Sequence, residues 1–224
     1  MKKFATQKSK KLMLVLGAIL AVAAIVATSV FATVAYLTST SYVTNTFTIG
    51  NVGIEMYESK VNPDGTLYDE GATKVSENKY HLVPNKTYIK DPTITVAEGS
   101  EASYLFIIIH NGIEAIECAE DHDEHLTIAE QLANNGWKQY KTMSNGTVYV
   151  YVGEGDTAEA VTAGNYKLFE TFTISSEASA TIANYGTANV TINAMAIQAA
   201  TLDEATAWST LAETYAYIVG TPVN

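Results

Sequence analysis

The chain has 224 residues, which is enough for one large domain or for one domain with an export segment. Its formal net charge is −11, and its cations are all lysines, with no arginine to bind phosphates through paired hydrogen bonds. We therefore expect no nucleic-acid partner. The single cysteine, Cys118, cannot form an internal disulfide, so the fold must depend on its core alone.

The N-terminal segment has the order of an export signal. Five lysines precede an uncharged apolar run over residues 12–37, and small residues near its end allow cleavage after Ala35 or after Ala32. At 26 residues, the run is also long enough to cross a bilayer of roughly 30 Å. Residues 1–35 are therefore predicted to be a signal peptide or an uncleaved membrane anchor, and the membrane is expected to contact only this segment.

Strand signals dominate the rest of the chain, residues 36–224, because Tyr, Thr, Val and Ile are frequent there. The almost wholly apolar run 103–110 predicts a central strand, whereas Pro92 predicts an edge strand or a bend within residues 87–96. The other predicted strands are 42–49, 52–57, 137–141, 147–152, 166–175, 189–198 and 215–223.

Two segments are typical of helices instead. Residues 126–132 precede the stop signal 134–136, and residues 203–212 follow the candidate N-caps Thr201 and Asp203. The strand number and turn spacing predict an all-β fold, a jelly-roll-like β-sandwich with one short helical excursion, preceded by the hydrophobic signal helix.

Several stretches, in this order along the chain, resemble the TasA/camelysin family of Firmicutes, whose members use a SipW-type signal peptidase. They are residues 35–38 (AYLT), 43–52 (VTNTFTIGNV), 82–85 (LVPN), 90–96 (KDPTITV), 100–106 (SEASYLF), 194–199 (AMAIQA) and the pair Ala207-Trp208. The resemblance implies a secreted jelly-roll sandwich that is located in the extracellular matrix or at the cell surface. In the best-known members it also implies biofilm-matrix fibres, in which the N-terminal strand of one subunit completes the sheet of the next.

The expected partners are therefore other copies of the chain, with the signal peptidase during export. The donor is expected within residues 36–49, with Tyr36, Phe47 and Ile49 as anchors. Residues 42–57 can alternatively pair within their own domain, which leaves residues 36–41 for donation.

The camelysin name raises the alternative of a cell-surface metallopeptidase. The chain has no His-Glu-x-x-His motif, so we expect no enzyme activity and no cofactor. The weak candidates for a divalent-cation site are His122, His125, Asp121, Asp123 and Glu124, which otherwise form a solvated acidic loop. A monomeric adhesin or carbohydrate-binding sandwich is a third hypothesis, since Tyr149, Tyr151 and Tyr166 can stack on sugar rings or pack internally.

Overall fold

A computed structural model describes residues 47–49, 52–118 and 125–223, and for residues 47–49 it describes the backbone. The predicted signal segment, its two cleavage sites and the boundary at residue 35 lie outside these residues. The described part is mostly β-structure, with eleven strands in three sheets, which confirms the predicted class at this coarser level. The two predicted helical segments, 126–132 and 203–212, both contain a helix, and a third helix adds to the single excursion of the predicted class.

The strands alternate with short turns along most of the chain. They are β1 (Phe47–Ile49), β2 (Ile54–Ser59), β3 (Lys74–Val75), β4 (Lys86–Ile89), β5 (Thr93–Val96), β6 (Ser103–Asn111), β7 (Trp137–Met143), β8 (Gly146–Tyr151), β9 (Gly164–Lys167), β10 (Thr171–Ile174) and β11 (Val190–Gln198). The helices are α1 (Ile128–Asn134), α2 (Glu204–Thr214) and α3 (Ala216–Val219), with 3-10 turns at Glu114–Ile116, Ser176–Ala180 and Ile182–Tyr185.

The largest sheet has five strands in the order β1-β11-β6-β8-β7. The apolar strand β6 lies at its centre, as predicted, and pairs with all nine residues of β11 in an antiparallel register. The hairpin β7–β8 completes one side, also as predicted. On the other side β1 pairs with β11 in parallel.

Two predicted strands are each divided between different sheets. Residues 87–96 form β4, which pairs with β10, and β5, which pairs with β2 and β9. The break falls at Pro92, which has no N–H for a ladder and whose carbonyl accepts a hydrogen bond from the N–H of Leu168. The break confirms the bend that was predicted at Pro92. Residues 166–175 are divided in the same way into β9 and β10, so the single strand predicted there was wrong.

The five-stranded sheet carries a core on each face. Alternation along β8 places Val148 and Val150 in a core beneath α2 and α3, and Tyr149 in the other core. That second core unites the five-stranded sheet with β2, β4, β5 and β10 of the smaller sheets. Both faces of the large sheet are therefore covered.

Local signals explain the helices. A capping box between Thr127 and Glu130 starts α1, and the Asp203 carboxylate accepts a hydrogen bond from the Thr206 N–H at the start of α2. The strand predicted over residues 215–223 is wrong. Tyr215 and Val219 are buried at a four-residue spacing, which suits a helix, and Gly220 ends α3 with φ 74°.

Candidate functional site: the outer edge of β11

The outer side of β11 is only partly covered. β1 contacts three of its nine residues, with Phe47 opposite Met195, Thr48 opposite Ala196 and Ile49 opposite Ile197. Val190–Ala194 extends beyond this contact and has no strand partner on the outer side among the residues that the structure describes. Among the residues that the structure describes, the outer side of β11 is therefore longer than the segment that pairs with it.

The hydrogen-bond pattern shows which backbone groups face outward. The β6–β11 ladder is continued at its two ends by bonds from the Gly112 N–H to the Asn189 carbonyl and from the Ala199 N–H to the Ala102 carbonyl. Odd-numbered residues of β11 therefore bond to β6, because antiparallel residues alternate in direction. Ile192 and Ala194 direct their N–H and C=O groups outward. In the parallel register with β1 the Ala194 carbonyl faces the Phe47 N–H, so within the described residues the two groups of Ile192 and the Ala194 N–H are the ones left for an added strand.

The two edges of this sheet differ in chemistry. β11 has no charged side chain and belongs to an uncharged run over residues 178–202. The opposite edge strand, β7, carries exposed Lys138 and Lys141 and has a bulge between Gln139 and Lys141. Lysines and bulges are devices that stop an edge from pairing with another chain, so only β7 is protected in this way.

The chain is fixed again immediately after β1. The Gly53 N–H donates to the Ser100 hydroxyl at 3.1 Å, and the Gly53 carbonyl accepts from the Ala97 N–H at 2.8 Å. β2 starts at Ile54 and pairs with β5 independently of β1. Removal of β1 from β11 would therefore leave the anchorage of β2 intact.

The predicted donor residues are thus placed in part. The backbone of Phe47 and Ile49 lies against β11 of the same chain, in line with the alternative of pairing within the domain. Tyr36, Ala32 and Ala35 lie outside the described residues. The exposed side of β11 was not predicted as a site, although the uncharged run over residues 178–202 is a visible signal for an unprotected edge.

The predicted cation site cannot be assembled from the described residues. Asp121, His122, Asp123 and Glu124 lie outside them, and His125 is half-buried three residues before α1. Within residues 47–49, 52–118 and 125–223, no three His, Cys, Asp or Glu side chains are grouped as metal ligands. Cys118 is buried at the end of the second described range.

An open groove of about 500 Å³ lies between α1, β7 and the turn after β8. An exposed ion pair crosses part of it, with Lys138 Nζ 3.2 Å from Asp156 Oδ1. Its walls contain no serine, threonine, cysteine or histidine. The groove therefore provides no activated nucleophile with a histidine base.

The tyrosines proposed for sugar stacking pack against other aromatic rings or lie in the core, and Tyr151 and Tyr166 are half-buried. The rings of Tyr151 and Tyr166 meet edge to face at 5.1 Å, and Tyr151 meets Trp137 in the same way at 5.3 Å. Tyr149 is buried. These contacts are those of internal packing, the alternative to sugar stacking for these three side chains.

Glu117 is a carboxylate whose burial no sequence pattern indicated. Its Oε1 accepts a hydrogen bond from the Ile128 N–H at 2.7 Å, and its Oε2 accepts one from Asn111 Nδ2 at 3.1 Å. Burial raises the pKa of this carboxyl from 4.5 to about 6, although the two hydrogen bonds act in the opposite direction. Nearby Glu114 and Glu130 raise the pKa further.

We expect Glu117 to make the folded state less stable as the pH rises from about 4.5 to about 6. The folded pKa lies above the unfolded value, so the neutral form is favoured by folding and that contribution is lost as the group ionises. The loss is about 2 kcal/mol. Denaturant unfolding measures the free energy of unfolding at each pH. This free energy should not fall between pH 4.5 and 6 through this group in Glu117→Gln, whereas Glu98→Gln, at an exposed site, should keep the fall. Equal slopes in both variants would contradict the assignment.

Comparisons with protein-family models, with curated proteins and with solved structures found no match to this chain. Among the described residues, no helix has the length and apolar character needed to cross a membrane.

Proposed function

We propose that this chain is a secreted structural protein, a fibre subunit of an extracellular matrix or cell surface that assembles by donation of its N-terminal strand. In this proposal residues 1–35 direct export and a signal peptidase removes them. Residues 36–224 then form a jelly-roll β-sandwich that associates with further copies. The sequence resemblance to TasA/camelysin proteins supports the same proposal.

The uncharged, partly covered edge of β11 carries the proposal. A donated strand from a second copy can satisfy the outward groups of Ile192 and the N–H of Ala194, which have no partner in β1. Residues 36–49 are long enough to lie along all nine positions of β11 of a second copy. A strand donated in this way would replace the contact of Phe47–Ile49 with β11 of its own chain.

The core on one face of the five-stranded sheet supports the proposed β-sandwich. One continuous core joins the five-stranded sheet to strands of both smaller sheets, as expected where sheets pack face to face. The anchorage of Gly53 also suits donation, because the segment before it can leave β11 without release of β2. We therefore expect the monomer to stay folded when the segment is donated.

Deletion of residues 36–41 from the secreted protein tests the proposal. We expect filaments of the parent in negative-stain electron micrographs and none of the deleted protein, because the donor then lacks Tyr36 and the length to cover β11. Circular dichroism of the monomer should be unchanged. In a matched control, residues 36–41 are replaced by glycine and serine, which restores length without apolar anchors. Filaments that persist in both variants would contradict strand donation.

A further inference from the structure

The chain after α3 turns back along the outer side of β7. The Ser144 N–H donates to the Thr221 carbonyl at 2.7 Å, and the Val223 N–H donates to the Thr142 carbonyl at 3.2 Å. Met143 and Pro222 face each other between these two bonds as an antiparallel bridge. We call residues 221–223 the edge guard, because they occupy outward backbone groups at the end of β7.

The position of Pro222 makes the edge guard a poor template for further pairing. In this bridge the backbone groups of Thr221 and Val223 point toward β7, so those of Pro222 point away from it. Proline has no N–H, and the outer side of the edge guard therefore lacks a donor at its centre. A further strand therefore cannot form a regular ladder on the outer side of the edge guard.

The edge guard is held in place by the β7–β8 turn. Asn145 Nδ2 donates to the Ile218 carbonyl at 3.0 Å, and the Thr221 N–H donates to Ser144 Oγ at 3.0 Å. Gly220 has φ 74°, and a Cβ at this position would lie 2.1 Å from Ser144 Oγ. Glycine is therefore required where the chain passes from α3 to the edge guard.

The rest of β7 is protected by other means. Lys138 and Lys141 are exposed, and the bulge between Gln139 and Lys141 interrupts the ladder. The residues that follow the bulge, Thr142 to Ser144, are the ones that the edge guard covers. Together these features cover or interrupt β7 along its whole length.

We propose that the edge guard is an autoinhibitory contact that prevents β7 from pairing with β7 of a second copy, so that β11 is left as the receptive edge of the sheet. A second copy is the fitting occupant of an unguarded β7, because two identical edges pair antiparallel about a twofold axis through Thr142. The proposal concerns the edge opposite to β11 and stands without strand donation.

Val223→Pro in the full chain tests the edge guard, since it removes the N–H that bonds to the Thr142 carbonyl. Val223 is 56 % exposed, so Val223→Ala is a matched control that keeps the N–H. Pairing of two β7 edges brings the two copies of Lys141 together. An amine-reactive cross-link between two copies of Lys141 is necessarily intermolecular. We expect the yield of this cross-link to rise about tenfold in Val223→Pro, which corresponds to a tenfold rise in the association constant between copies. In Val223→Ala the yield should stay at the parental level.

A truncation after Gly220 should give the same cross-link, because it removes the edge guard entirely. Adding Thr142→Pro to this truncation should abolish it, since the outward N–H of Thr142 is lost while the bonds to β8 remain. Parental cross-linking in both Val223→Pro and the truncation would overturn the proposal. A cross-link in the truncated protein that Thr142→Pro leaves unchanged would also overturn the proposal, because cross-linking caused by unfolding does not depend on the Thr142 N–H. Failure of strand donation would instead appear as filaments that survive deletion of residues 36–41.

Discussion

Replacement of Lys90 by methionine is expected to lower the free energy of unfolding by about 3–5 kcal/mol. Lys90 Nζ lies 2.6 Å from Glu58 Oε2, and the two side chains are only 11 % and 4 % exposed. Methionine has a similar length and no charge, so the Glu58 carboxylate would stay buried with the Asn78 amide as its remaining side-chain donor. An uncompensated buried charge is costly because the interior solvates it poorly.

Lys138→Met is the matched control for this experiment. The Lys138–Asp156 pair has side chains that are 50 % and 97 % exposed, so its loss should cost less than about 1 kcal/mol. The double variant Glu58→Gln with Lys90→Met should recover a substantial part of the loss, because no unpaired charge remains. Urea unfolding of the four proteins measures these differences. A Lys90→Met protein as stable as Lys138→Met would show that the buried pair is not formed.

Trp208→Ala should destabilise the protein by about 3–5 kcal/mol. Trp208 is 4 % exposed on α2, and its ring lies 5.6 Å from that of Phe106 and 5.7 Å from that of Tyr140. These rings attach α2 to the five-stranded sheet. Removal of the indole leaves a cavity at this attachment, since the strands beneath it cannot move in to fill the space.

Ser209→Ala, on the exposed side of the same helix, should change stability by less than about 0.5 kcal/mol. The second tryptophan, Trp137, belongs to the other core, so its fluorescence should report loss of structure there separately. A loss in Trp208→Ala no larger than that in Ser209→Ala would mean that α2 contributes little to the core.

Sequence patterns predicted those elements whose signals are local. The apolar run of β6 and the alternation of valine and tyrosine in β8 are properties of neighbouring residues, as is the Asp203 cap of α2. The change of sheet at Pro92 was harder to predict. The residues on both sides of the proline have strand character, and only their partner strands differ. The prediction for residues 215–223 was wrong for a similar reason. Tyr and Val favour strands locally, but here the burial of residues four apart favours a helix.

The site was predictable only in its donor half. The proposed donor is a contiguous N-terminal segment, so its position could be proposed from the sequence alone. The acceptor depends on which strand ends the sheet, and this follows from the pairing of β11 with β6, more than 75 residues earlier in the chain. The Glu58–Lys90 pair and the edge guard likewise join residues that are far apart in sequence.

Isotope-mixed cross-linking tests the central claim, exchange of the N-terminal strand between copies, most directly. A photoreactive residue in place of Gln198, at the end of the β11 edge, would capture the strand that lies beside it. Filaments grown from equal amounts of unlabelled and nitrogen-15-labelled secreted protein should then give cross-links between β11 and residues 36–49 that join the two isotopes. Cross-links that join only peptides of the same isotope would show that each chain covers its own edge and would contradict strand donation.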